Sequence, residues 1–184
     1  MNSSYENTHK AAKHGRIRRW LSYVPVSLVV AFVCLRYFQM HRIPAPKQIP
    51  PSKLILENLD GSRMDPARIT GKAIVLNFWA PWCPPCRLET PWLQHLQDLH
   101  PNNLMVVGVV ADPEQNKQSV GFMNSRGIRY PLVRDTTSLD QIVGGVAGLP
   151  RTFYISRSGD VIQSTSGLTP ELLMERYAED AVEK

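Results

Sequence analysis

Apolar and polar residues alternate with several different periods along this chain of 184 residues. Residues 20–40, WLSYVPVSLVVAFVCLRYFQM, are a run of 21 with a single charge, Arg36. A helix needs roughly 20 mostly apolar residues to cross a bilayer, so this run predicts a transmembrane anchor. Arg36 stands near its distal end, where the long stem can carry the guanidinium to the interface. Pro25 is compatible with a membrane helix, and Trp20, Tyr23, Tyr37 and Phe38 sit where interfacial aromatics belong. Residues 41–52, HRIPAPKQIPPS, hold four prolines and predict a semi-rigid spacer.

From residue 53 the pattern is that of a packed domain. Residues 53–56 suggest a short strand. Residues 73–79 (AIVLNFW) and 104–110 (LMVVGVV) are nearly continuous apolar runs, as in strands buried on both faces. Residues 84–100 place Leu88, Trp92, Leu93, Leu96 and Leu99 at helical spacing, with a kink expected at Pro91. Further helices are expected over 113–126, 138–143 and 170–181, and an extended piece near 130–134. The first of these has Asp112 as a cap and Pro113 at the opening position. Residues 152–156 and 160–164 predict a hairpin turning at Arg157-Ser158-Gly159. Strand–helix alternation ending in a hairpin and a helix predicts an α/β fold with a central sheet of mixed direction, flanked by helices.

Charge sharpens the division. The formal net charge is +5, yet residues 1–47 carry eight Lys/Arg against one acid, a net +7, and residues 48–184 carry −2. A nucleic-acid-binding domain would show a basic stripe within its own fold, and no Lys/Arg block follows Lys47. Five of the basic residues precede the apolar run, which favours an amino terminus on the cytoplasmic side. The expected organisation is a basic cytoplasmic segment over 1–19, an anchor over 20–40, a linker over 41–52 and a folded domain over 53–184. After Leu35 the chain reads RYFQMHRIPAP, a poor small-x-small cleavage site. Cys34 lacks the small residues that precede a lipidated cysteine and reads as an apolar membrane residue.

Candidate chemistry lies at Trp82-Cys83-Pro84-Pro85-Cys86, where the buried strand gives way to a helix. Cys83 falls at the helix amino terminus, where free N–H groups and the helix dipole favour a thiolate. Cys86 lies one turn on, within reach of a disulfide. The pattern suits attack by Cys83 on a disulfide and resolution by Cys86. A structural zinc site would need four ligands. The soluble part has no third cysteine, and its two histidines, His95 and His100, read as residues of a solvated helix face. Two soft thiolates would also suit Cu(I), which keeps a copper metallochaperone as an alternative. A peroxidase would need a Thr/Ser-x-x-Cys setting, which WCPPC lacks. No cofactor is expected.

The run NFWAPWCPPCRLETP, Asn77 to Pro91, resembles the active-site segment of thioredoxin-fold proteins, specifically the membrane-anchored TlpA/ResA/CcmG (DsbE) branch. A second segment, GVAGLPRTFYISRSGDVI from Gly145 to Ile162, is similar to the same family. The resemblance spans roughly 53–181 and implies a thioredoxin-like fold and thiol–disulfide oxidoreductase activity, with reduction of envelope disulfides. It implies protein substrates such as the haem-binding CXXCH cysteines of apocytochrome c. It also implies a membrane electron donor of the CcdA or DsbD type, and a periplasmic or equivalent extracytoplasmic location.

The resemblance assigns residues too. Pro150 takes the place of a cis proline facing the disulfide, leaving the backbone of Leu149 to pair with an extended substrate. Glu89 matches an acidic residue that tunes thiol titration. Asn77 stands where cytoplasmic thioredoxins have a buried aspartate, so an aspartate relay is not expected. Trp82 is expected to frame the site, and Trp79 to frame it or serve as core. Arg151 is expected to be exposed or to touch substrate.

Overall fold

The computed structural model describes residues 28–32 and 45–184. Residues 28–32 are helical with exposed side chains and form part of a unit separate from the one beginning at Pro44. The basic segment over 1–19, most of the expected anchor over 20–40 and the start of the linker lie outside the described residues. Among the described residues no helix is long and apolar enough to cross a membrane.

Among the described residues six strands form one sheet in the order β1-β4-β3-β2-β5-β6. They are β1 (Glu57–Asn58), β2 (Ala73–Trp79), β3 (Leu104–Val110), β4 (Leu132–Arg134), β5 (Arg151–Ile155) and β6 (Val161–Ser166). The pairs β2–β3 and β3–β4 are parallel, and β1–β4, β2–β5 and β5–β6 are antiparallel. The described helices of the domain are α1 (Pro84–Leu99), α2 (Asn116–Ser125), α3 (Thr137–Val143) and α4 (Glu171–Glu183). This is the α/β architecture with a mixed sheet that the strand–helix alternation predicts, and the thioredoxin-like fold that the resemblance implies.

Period-2 alternation divides the core into two layers. On β2, Ala73, Val75 and Trp79 join Leu93 and Leu96 of α1, Met123 of α2 and Met174, Ala178 and Ala181 of α4. Ile74, Leu76 and Phe78 face the other way, onto Leu54, Leu56, Met64, Ile69, Leu139, Val143 and Phe153. All seven residues of β2 and of β3 are buried, each large aliphatic side chain contributing about 1.5–3 kcal/mol. The dithiol helix α1 thus packs on the same layer as α4.

Several expectations shift. Residues 54–56 keep the strand-like alternation, with Leu54 and Leu56 buried and Ile55 exposed, but make no ladder. Pro51 opens a 3-10 turn over Pro51–Lys53, and the first strand of the sheet is β1. The helix expected over 113–126 begins as a 3-10 turn, Pro113–Gln115, capped by Asp112, and becomes α2 only at Asn116. On α1 the buried stripe is Cys86, Glu89, Thr90, Leu93, Gln94 and Leu96, whereas Leu88 and Leu99 face solvent. Pro91 does not break α1. Its missing N–H would have served the Arg87 carbonyl, and Thr90 Oγ1 donates to that oxygen instead, at 3.2 Å.

The proline-rich stretch expected as a spacer over 41–52 belongs to the fold in its second half. Ile49 is fully buried, its N–H donates to the Gly159 carbonyl at 2.7 Å, and Val161 N–H donates to the Lys47 carbonyl at 2.9 Å. Gly159 is required by this docking: its φ is +91°, and a Cβ there would stand 2.8 Å from the Ile49 oxygen.

Candidate active site

The last residue of β2, Trp79, lies two residues before the turn that leads into α1. Cys83 is the N-cap of α1, and Pro84 and Pro85 follow it into the first turn. Neither proline carries an N–H. The first free helical donor is therefore that of Cys86, which points at Cys83 Sγ at 3.4 Å. That single N–H and the helix dipole act on the sulfur that must carry negative charge when the pair is reduced. In this structure Cys83 and Cys86 are joined in a disulfide, Cα–Cα 5.3 Å. Both are nearly fully buried.

Trp82, by contrast, is 62 % exposed beside the disulfide. Trp79 is core, tilted against Phe122 at 5.7 Å between ring centroids, with Arg87 over the same phenyl ring. The strand register pairs Phe78 with Arg151, so one step further brings Pro150 level with Trp79, at the mouth of the active-site loop. The Leu149–Pro150 peptide is cis. Leu149 packs against both core layers, and Gly167 N–H donates to the Pro150 carbonyl at 2.8 Å, drawing the loop ahead of α4 to this edge.

Glu89 lies one turn behind Cys86 on the buried stripe of α1. Its side chain is fully buried and accepts a 2.6 Å hydrogen bond from the Thr169 N–H at Oε1. Burial pushes its carboxyl from the ordinary 4.5 up to about 7, partly opposed by the Thr169 donor. An acid of that strength exchanges its proton near neutrality, where thiol chemistry runs. Asn77 is buried on β2, and its amide donates to Thr152 Oγ1 at 2.9 Å, a neutral pair.

Arg151 corrects an expectation of exposure. It lies in β5 between β2 and β6, almost fully buried, with its guanidinium 4.8 Å over the Phe153 ring and donating to Ser164 Oγ. Burial lowers its affinity for the proton. Its register partner Phe78 and the ring it covers belong to the layer away from Glu89.

The sequence reading missed three features. Thr169 is one; it lies 80 residues from the carboxyl it holds. Tyr130 and Tyr154, buried in the layer of the dithiol, are the second. The third is a surface grouping of His95, Glu171 and Glu175, whose ligand-type atoms lie within 4.8 Å of one another. There His95 Nε2 stands 3.8 Å from Glu175 Oε1 at the solvent-facing surface.

A disulfide closed across the first turn of a helix, fed by a buried central strand and backed by a buried carboxyl, defines a thioredoxin-fold thiol–disulfide oxidoreductase. The Redoxin family pattern matches residues 44–182, and the chain belongs to that family. It is similar to the thiol-disulfide oxidoreductase ResA of Bacillus subtilis, 33 % identical over 124 residues, covering 67 % of this chain and 69 % of that protein. It is also similar to the sporulation thiol-disulfide oxidoreductase A of Bacillus subtilis, 28 % identical over 130 residues, covering 68 % and 78 %. Among solved structures, a DsbE-type thiol:disulfide interchange protein of Chlorobium tepidum aligns with a TM-score of 0.63 at 25 % identity. That alignment covers 76 % of this chain and 99 % of the other. The enzyme is a thiol–disulfide oxidoreductase of the ResA/DsbE type.

Proposed function

We propose that this oxidoreductase is tethered to the membrane by residues 20–40 and works as a reductase of protein disulfides on the extracytoplasmic side. The observation that carries the reading is the pairing of the Cys83–Cys86 disulfide with a fully buried Glu89 one turn behind it. In the reduced enzyme the Cys83 thiolate attacks one sulfur of a substrate disulfide. A mixed disulfide forms and the first substrate thiolate leaves. Cys86, its proton taken up by the Glu89 carboxylate, attacks Cys83 Sγ and expels the second substrate thiolate. Two electrons pass to the substrate, and the enzyme is left oxidised.

Trp82, Leu149 and Pro150 line the approach, the Leu149 backbone pairing with an extended substrate chain. Relatives named thiol-disulfide oxidoreductases support protein disulfides as substrates, and on the extracytoplasmic side the haem-attachment cysteines of apocytochrome c would fit this chemistry. A membrane dithiol donor of the CcdA or DsbD type would restore the dithiol. A tether raises the effective concentration of enzyme beside such a donor. The basic flank before residue 20 supports an amino terminus in the cytoplasm.

Cys86→Ala expressed in a host envelope tests the reading. It should accumulate mixed disulfides through Cys83 with envelope proteins carrying paired cysteines, and Cys83→Ala should trap none. Full multiple-turnover reduction by Cys86→Ala would overturn the two-cysteine mechanism. Trapped partners confined to the cytoplasm would overturn the location.

A further inference from the structure

Helices α1 and α4 are held together by a buried contact. Leu93 and Leu96 of α1 and Met174 and Ala178 of α4 are fully buried in one core layer. Residues at the rim of that contact are therefore fixed in place by the packing beneath them. His95 of α1 and Glu171 and Glu175 of α4 stand there. An imidazole nitrogen and one carboxylate oxygen from each glutamate lie within 4.8 Å of one another. The i, i+4 spacing puts the two glutamates on one face of α4.

Electrostatics leaves this grouping incomplete. Two carboxylates one helical turn apart repel. The amino end of α4 offsets part of that for Glu171, which lies in the first turn. Among the described residues no Lys or Arg pairs with either carboxylate. The Glu171 side chain has no hydrogen-bond or ion-pair partner, and Glu175 meets only His95, at 3.8 Å, too long for a hydrogen bond. Both glutamates are half-buried. A cation placed between the three groups would satisfy all of them at once.

The donor set selects the cation. One imidazole nitrogen with two carboxylate oxygens suits zinc and its neighbours among the divalent transition metals. Magnesium and calcium prefer oxygen alone, and Cu(I) prefers thiolates. Zinc bonds of about 2.0–2.2 Å put tetrahedral donors about 3.3–3.6 Å apart. The three donors, within 4.8 Å already, reach that spacing by side-chain torsions without movement of either helix. Three protein ligands leave the fourth position to water, which makes the ion exchangeable.

We propose that His95, Glu171 and Glu175 form a zinc site that ties the amino end of α4 to the active-site helix. Thr169, whose N–H donates to Glu89 Oε1 at 2.6 Å, lies two residues ahead of Glu171 in the loop that leads into α4. A metal that restrains the first turn of α4 restrains that donor as well. The zinc ligands are separate from the dithiol, so the site does not depend on which way electrons flow through Cys83 and Cys86.

The test is a calorimetric zinc titration of the oxidised full-length chain. Cys83 and Cys86 are closed in their disulfide, and Cys34 is alkylated so that no thiol competes. The wild type should bind zinc at a site that His95→Ala, Glu171→Gln and Glu175→Gln each weaken by about tenfold or more. His100→Ala removes the other imidazole of the folded domain and should leave that affinity unchanged. Equal affinity in the wild type and His95→Ala, or an equal loss in His100→Ala, would mean that zinc samples exposed histidines, and would overturn the site. Amide hydrogen exchange reads the tie between the helices. Zinc at about nine times its Kd should slow exchange of the Thr169 N–H about tenfold in the wild type and leave it unchanged in His95→Ala. Zinc bound through His95 with no change at Thr169 would overturn the tie.

Discussion

Glu89 Oε1 and the Thr169 N–H meet at 2.6 Å inside the core, joining the active-site helix to the loop ahead of α4. The contact holds a carboxyl that burial has made a weak acid, with a midpoint raised from 4.5 to about 7. The sign of the resulting pH dependence follows from proton binding. Between those two values the folded chain binds the proton and the unfolded chain does not, so stability falls as pH rises. Below 4.5 the cost vanishes, and above about 7 it is complete, at about 3 kcal/mol. Glu89→Gln removes the titration. Urea unfolding of the oxidised domain should therefore show the wild type losing about 3 kcal/mol relative to Glu89→Gln between pH 4.5 and pH 7.5. Parallel pH curves for the two proteins would refute a buried acid at this position.

Gly108 gives a second prediction. Its added Cβ would meet Leu132 Cδ2 at 2.8 Å as well as the Tyr130 and Trp79 rings, all in a buried layer. None of these is the free end of an exposed chain. Gly108→Ala should cost about 1–3 kcal/mol, the usual range for overpacking. Chemical denaturation reads the loss. A neutral outcome would mean that the space above β3 is looser than the contacts indicate.

How much of this was legible in sequence depends on the distance over which each feature is determined. The Cys83–Cys86 pair was readable because its chemistry is local: a C-x-x-C at a strand-to-helix junction needs only its own neighbours. β2 and β3 were readable because runs of seven residues, apolar except for Asn77 and Gly108, leave few choices. The buried face of α1 was not, because Leu88 and Leu99 fit the helical period as well as Leu93 and Leu96 do. Only the packing of α4 decides between them. Glu89 shares its stripe with Cys86 and Leu93, a signal that could have placed it inside. Its partner Thr169 could not be found, being a backbone donor in a distant loop. Arg151 misled for a related reason. Arginine is ordinarily exposed, but here the strand carrying it is central and offers Phe153 and Ser164 to its guanidinium.

The proline-rich segment was the other misreading, and it too is testable. Composition marks residues 41–52 as a spacer, yet Ile49 is fully buried and bonded to the hairpin turn at Gly159. Ile49→Ala should destabilise the domain by about 2–5 kcal/mol, as for other buried isoleucines. A chain beginning at Lys53 should lose at least as much, because it also gives up the Gln48–Asp160 bridge. Thermal unfolding of both proteins decides the matter. If the shortened chain is as stable as the full domain, residues 47–52 are an ornament on the fold.

Trp82 separates substrate contact from structural support. Large apolar side chains are normally buried, and this one is 62 % exposed next to a disulfide that is itself covered. Little core packing is lost on truncation, so Trp82→Ala should leave stability within about 0.5 kcal/mol of wild type. If the indole instead covers the approaching substrate chain, its removal costs about 1.4 kcal/mol of binding, roughly tenfold in kcat/KM towards a disulfide-bonded protein. A small symmetrical disulfide reaches the sulfur without using that surface, and its kcat/KM should be unchanged. Equal losses for both substrates would assign Trp82 to the geometry of the dithiol rather than to substrate. No loss for either would remove it from the site.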